Sequence, residues 1–212
     1  AIKQTLNGNP TLGNSFSCTV SRNGDLVSRM YLQIEGANNN TGTDFPGTDL
    51  IETIEVEIGG QRIDRHTGKW MKVWNELTEE QGKKEGYGTM TNVPGTNDTT
   101  TKKTLYIPLQ FWFCRNPGLA LPLIALQYHE VKVNCALNAG AATTTVGTIS
   151  LYADYIYLDV DERRRFAQVS HEYLIEQIQH PVTGKTLSGT NESVDLNLNH
   201  PVKCLVWTDG HA

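Results

Sequence analysis

The chain has 212 residues, enough for one all-β domain or one and a piece. With 38% hydrophobic and 19% charged residues it can fill a core, which excludes a disordered chain. Its formal charge of −5, from 18 Lys+Arg against 23 Asp+Glu, argues against direct contact with nucleic acid.

Residues 14–22 alternate, with Phe16, Cys18 and Val20 on one face, and predict a strand. Asn23-Gly24 offers the positive φ of a hairpin turn, and residues 26–34 return as the partner strand. Residues 35–48 are polar and rich in Gly and Asn, a long surface loop. In residues 54–58, Ile54, Val56 and Ile58 face a core while Glu55 and Glu57 face water. Gly59-Gly60 turns the chain, and residues 61–65 run back. The spacing then shifts to a helical one. Trp70, Val73, Trp74 and Leu77 fall at i, i+3, i+4 and i+7, a short helix whose aromatic stripe caps the core. Residues 79–103 are polar, with Gly and Pro, and read as a long connection.

The densest apolar material lies in residues 105–133. Leu105, Ile107, Leu109, Phe111 and Phe113 alternate as a strand, with Pro108 marking an edge or a bulge. Pro117-Gly118 predicts a type II turn and residues 119–133 a second long strand, so this hairpin is the expected spine of the fold. Residues 138–148 form a small-residue loop. Residues 150–158 form a strand with aromatics on both parities, covered on both faces. A charged connector at 159–166, a last strand at 171–179 and a linker at 180–193 complete this part of the chain. Residues 194–207 open a new strand pattern with no partner left in the sequence. About seven or eight strands, one helix and long loops make an all-β sandwich or barrel, and loops gathered at one end favour a jelly roll.

Nothing in this order of elements carries a reaction, so the expectation is no catalytic residue, no metal site and no cofactor. Cys18, Cys114, Cys135 and Cys204 have neither metal-ligand nor redox spacing and read as small buried hydrophobes with free thiols. His129 and Glu130 are adjacent and would project from opposite faces of a strand, so they cannot share an ion. No nucleophile elbow, phosphate loop or dinucleotide fingerprint is present. Asp161, Glu162, Arg163, Arg164 and Arg165 mix signs in one short run and read as ion pairs between two sandwiches or between subunits. Asn39, Asn97 and Asn191 each open an Asn-x-Ser/Thr sequon in a predicted loop and are candidate glycosylation sites. No run of about 20 apolar residues predicts a membrane-spanning helix.

Five stretches carry a family likeness: residues 22–26 (RNGDL), 54–74 (IEVEIGGQRIDRHTGKWMKVW), 108–131 (PLQFWFCRNPGLALPLIALQYHEV), 166–177 (FAQVSHEYLIEQ) and 196–207 (LNLNHPVKCLVW). In wording and order the chain resembles the major capsid proteins of the nucleocytoplasmic large DNA viruses, the phycodnavirus and iridovirus group. The resemblance implies a double jelly roll. Residues 1–180 would be the first jelly-roll domain, lacking a short N-terminal strand. Residues 181–193 would be the linker and 194–212 the start of the second domain. It further implies homotrimers that form nearly hexagonal capsomers, with loops 35–49 and 79–103 making tower and inter-subunit contacts. The implied partners are neighbouring capsomers and minor capsid proteins. There would be no direct nucleic acid, and the virion shell would overlie an internal membrane after assembly in the host cytoplasm. Two rival readings stay open: a minor capsid or scaffolding protein of the same fold, and a carbohydrate-binding jelly-roll module.

Overall fold

The structure is a computed structural model that describes residues 1–39, 46–92, 103–139, 144–180 and 195–208. It separates into two compact units, Ala1–Gln177 and Ile178–Ala212. In the first unit the chain forms β1 (Ile2–Gln4), β2 (Leu6–Gly8), β3 (Ser15–Thr19) and β4 (Leu26–Asn39). A 3-10 turn at Gly47–Leu50 leads into β5 (Ile51–Ile58), β6 (Gln61–Thr67), α1 (Gly68–Thr78) and α2 (Gln81–Thr91). Then come β7 (Lys103–Pro108), the single turn α3 (Trp112–Arg115), a 3-10 turn at Pro117–Leu119 and β8 (Leu121–Pro122). Last are β9 (Val131–Leu137), β10 (Thr144–Thr145), β11 (Ile149–Ile156) and α4 (Val160–Gln168).

The strands make two antiparallel sheets. In the first, β4 is central, with β11 and then β1 on one side and β7 and β8 on the other; β10 pairs with the far end of β4. The second runs β2-β3-β9-β5-β6. Alternation sends one parity of each sheet inward: Met30, Leu32, Ile34, Leu105, Ile107 and Leu151 from the first, Phe16, Cys18, Ile54, Val56, Val133 and Cys135 from the second. These side chains share one apolar core, and each large one stabilises the sandwich by roughly 1.5–3 kcal/mol. This is a jelly-roll sandwich. Gly59 and Gly60, at φ 59° and 83°, turn β5 into β6 as the sequence predicts.

Several expectations are corrected. The strands over 14–22 and 26–34 exist, but β3 and β4 belong to different sheets, so the Asn23-Gly24 turn is a crossing between layers and not a hairpin. Gly24 has no positive φ there. It is small because a Cβ at this position would come within 2.7 Å of the Tyr155 Cβ. The hairpin over 105–133 is also absent. β7 stops at Pro108, and Leu109, Phe111, Trp112 and Phe113 are all buried, so both parities fill the core from irregular backbone and α3. At 116–119 a 3-10 turn, capped by the Asn116 side chain accepting from the Gly118 amide at 2.9 Å, replaces the type II turn. The second long strand begins only at Val131.

The loop expected from residue 35 is partly strand, because β4 continues to Asn39, and residues 40–45 lie outside the described ones. Most of the connection at 79–103 that is described is α2, ending on left-handed Asn92 at φ 57°. Residues 93–102 lie outside. The charged connector is α4, and residues 171–179 form no strand. The short strands β1 and β2 were not foreseen. In the second unit, residues 195–208 form no strand, and Leu196, Val202, Leu205, Val206 and Trp207 are exposed.

Candidate assembly surfaces

A closed sandwich offers its function to other molecules through its outer faces, and here the two differ. On the second sheet the outward residues lie in rows: Ser17, Asn134, Glu55 and Arg65 side by side, then Thr19, Lys132, Glu57 and Arg62. Glu55 holds Arg65 at 3.3 Å and Arg62 at 3.5 Å, and the Asn134 amide donates to Glu57 at 3.3 Å. This is the polar, solvated face usual for an antiparallel sheet with one face on a core.

The first sheet is richer in aromatics than the second, with Lys3 at the β1 end of its tyrosine row. Lys3, Tyr152, Tyr31 and Pro108 form one outward row, and Ser150, Gln33 and Tyr106 the next. Tyr31 stacks on Tyr152 at 5.2 Å between centroids and meets Tyr106 edge-on at 6.1 Å. Burial, with Asp154 and the two neighbouring phenols, pushes the Tyr31 hydroxyl up from its ordinary pKa. The Gln33 amide donates to the Tyr106 hydroxyl at 3.4 Å, while Gln33 Oε1 and Ser150 Oγ are buried without a hydrogen-bond partner.

The turn between β3 and β4 is a hub. Arg22 donates to the carbonyls of Leu123, Leu126 and His129 at 3.4, 2.6 and 3.3 Å and so holds the irregular run after β8. Asp25 accepts from the Leu158 amide at 2.8 Å and from Arg163 at 3.0 Å. Burial pushes the Asp25 carboxyl up, but the Leu158 amide and the Arg163 guanidinium outweigh it and hold the pKa below the ordinary value. Tyr155 closes the same corner, donating to the Ser21 carbonyl at 2.6 Å. The sequence marked Arg163 for a pair between sandwiches or subunits; its partner Asp25 lies in the same unit. Asp161 and Glu162 stand in the first turn of α4 and Arg165 in its last, which suits the helix dipole. With Arg164 they are exposed.

α1 turns a different face inward than its pattern implied. Met71, with Gly68 and Asn75, is buried, whereas Trp70, Val73 and Trp74 are half-buried and Leu77 is 63% exposed. Trp70 and Trp74 stack at 5.4 Å, and Arg115, paired with Glu176 at 3.2 Å, lies 5.0 Å over the Trp74 ring. Beside this helix, Asp64 and His66 of β6 form a buried pair at 2.8 Å, with the imidazole stacked on Phe111 at 4.8 Å. An apolar cavity of about 450 Å³ lies between Leu121, Leu126 and Trp112 on one side and Phe166, His171 and Tyr173 on the other. No motif flagged the tyrosine face or the His66 pair, although the outward parity of β4 and β11 held the former.

Among the described residues no group of three or more His, Cys, Asp or Glu is placed to hold a metal ion, and no helix is long and apolar enough to cross a membrane. The described thiols are free. Burial pushes Cys18 up to about 11 and Cys114 and Cys135 up to about 12, while Cys204 is exposed, against the expectation that all four are buried. Of the sequons, Asn39 is the last residue of β4, not part of a loop; Asn97 and Asn191 lie outside the described residues.

The family model for the N-terminus of major capsid proteins matches residues 1–159, and that for the major capsid protein of large eukaryotic DNA viruses matches residues 162–211. The chain belongs to the major capsid proteins of large eukaryotic DNA viruses. Within this family, the major capsid protein of Pyramimonas orientalis virus is 52% identical over 225 residues, covering 99% of this chain and 55% of that protein. That of Paramecium bursaria Chlorella virus 1 is 40% identical, covering 98% of this chain and 51% of its own length. A solved PBCV-1 virus capsid superposes with a TM-score of 0.74 at 41% identity, over 84% of this chain and 46% of that one. The Faustovirus major capsid protein, at 13% identity and a TM-score of 0.58, shares the fold. The chain spans about half the length of the curated relatives it matches.

Proposed function

We propose that this chain supplies the first sandwich, and the opening of a second, to a structural protein that tiles the icosahedral shell of a large DNA virus. The observation that carries this is the tandem match: one capsid model ends at residue 159 and another starts at residue 162, along a chain half as long as its relatives. In this reading residues 1–180 are the first sandwich, 181–193 the linker and 194–212 the start of the second. Three copies form a capsomer whose six sandwiches tile the shell through contacts with neighbouring capsomers and minor capsid proteins. The shell lies over an internal membrane after assembly in the host cytoplasm. The role is structural and not catalytic. A jelly roll suits it because its strands are paired within the sandwich while its loops vary without disturbing the core. The exposed charges Asp161, Glu162, Arg164 and Arg165 of α4 serve as pairing groups between subunits.

The test is light scattering and native mass spectrometry on the full-length protein. A stable trimer of chains about twice this length supports the reading. A monomer at all concentrations overturns it.

A further inference from the structure

Close-packed protein interiors leave few voids larger than a water molecule. The cavity of about 450 Å³ between Leu121, Leu126 and Trp112 on one wall and Phe166, His171 and Tyr173 on the other is far larger. We infer that this cavity is a binding site for a single-chain amphiphile with an uncharged hydroxyl head, of the long-chain alcohol class.

Size sets the first limit. The volume falls within the roughly 300–1,000 Å³ of small-molecule sites. An apolar cavity of roughly 150 Å³ takes a benzene, so one three times as large takes roughly 15–20 non-hydrogen atoms. Shape sets the second. The wall made by residues 166–175 is tied down at both ends. At one end Arg163 of α4 holds Asp25 at 3.0 Å. At the other, Gln177 Nε2 donates to the Ile63 carbonyl at 2.6 Å and Glu176 pairs with Arg115 at 3.2 Å. A segment fixed across the opening keeps out the broad face of another sandwich. It admits a molecule with the cross-section of an alkyl chain.

The lining sets the chemistry. Most of it is aliphatic or aromatic, and among the described residues no Asp, Glu, Lys or Arg lines it. A charged head would be desolvated there with nothing to pair it. The polar groups of the lining sit together in sequence, at Ser170, His171 and Tyr173. His171 Nε2 lies 3.1 Å from the Phe166 carbonyl, which only accepts, so Nε2 carries a proton. In the neutral imidazole Nδ1 is then an acceptor. Burial pushes the Tyr173 hydroxyl up from its ordinary pKa, so it keeps its proton and donates. A ligand hydroxyl both accepts and donates, which suits this pair. A carboxylate could only accept, and an ammonium could only donate.

The experiment titrates the full-length protein with 1-decanol by calorimetry, with decanoate and decylammonium as charged probes of the same chain length. Melting temperature is the control for folding. Wild type should bind 1-decanol saturably with a Kd of roughly 100 µM or tighter, and the two ions at least tenfold more weakly. Ala125→Trp and Ala167→Trp each place a large ring in the cavity lining and should raise that Kd tenfold or more. Tyr173→Phe removes one oxygen at nearly constant shape and should raise it roughly threefold to tenfold. Unchanged binding in a correctly folded Ala125→Trp or Ala167→Trp overturns the location. Equal binding of either ion, or an unaltered Kd in Tyr173→Phe, overturns the uncharged hydroxyl head. No saturable binding by wild type overturns the whole inference, because the cavity is then filled by other residues of the full-length chain. A trimer that binds no decanol overturns this inference alone, and a monomer that binds it overturns the capsid reading alone.

Discussion

The corner around Asp25 and the packing beneath α1 are both buried and both contain polar groups, but they are stabilised differently. At the corner Asp25, 9% exposed, has its carboxylate paired with an amide and a guanidinium, and Arg22 spends its donors on three carbonyls. Around α1 the polar groups are not all met: Thr48 Oγ1, Asn75 Oδ1 and His66 Nδ1 are buried without a partner. There apolar packing holds the layers, with Met71 fully buried in the core. The first region is specified by hydrogen bonds and tolerates little chemical change. The second is specified by volume and carries polar atoms at a cost.

Volume should give the largest effect. Met71→Ala, which empties a site with no exposure, should destabilise the chain by about 2–5 kcal/mol in denaturant unfolding. A loss under about 1 kcal/mol would mean that α1 does not anchor the core. Next comes the corner. Asp25→Asn should cost about 1–3 kcal/mol, since it removes a charged acceptor from two donors. The same residue fixes the pH dependence. Its pKa is lower in the folded chain, so its contribution is complete above the unfolded value of about 3.9 and is lost as pH falls through the folded value. The acid limb of a stability profile should therefore flatten in Asp25→Asn; an identical limb would remove Asp25 from the network. Thr48→Val deletes an unpaired buried hydroxyl at constant shape and should leave thermal stability unchanged or raise it by up to about 1 kcal/mol. The smallest effect belongs to Leu77→Ser, within about 0.5 kcal/mol, because that side chain is mostly in water.

The seating of α1 marks where local pattern runs out. The helix over 70–77 was legible from its period, but Met71 and not the tryptophan stripe faces the core. Packing against the Gly47–Leu50 turn sets the rotation: a Cβ on Gly68 would strike the Thr48 and Ile51 carbonyl oxygens, so α1 seats its Gly68 side there. β5 and β6 were legible because alternation and a Gly-Gly turn agree with each other. The 105–133 run misled because an apolar segment buried on both parities carries no period to separate strand from irregular core. What fixes that run is Arg22, about a hundred positions earlier, and no local pattern shows such a tie. α2 hid behind its glycines, although Asn92 followed by Pro94 was a helix-stop signal within reach. Of the charged cluster only Arg163 has its pairing settled, by a contact 138 positions away that spacing does not reveal.

The strands β1 and β2 bear on the order of folding during synthesis. β1 joins one sheet and β2 the other, with Thr5 alone between them, so this short segment crosses from layer to layer. Its place is beside the last strand of the sandwich, where Ile2 pairs with Ala153 and Gln4 with Leu151. Residues 2–4 therefore wait on a ribosome for those made some 150 positions later before they find their register. Long-range pairing of this kind slows folding and leaves strand edges open meanwhile. A nascent chain halted before β11 would hold β1 unpaired, although its neighbour β2 already has β3 to pair with.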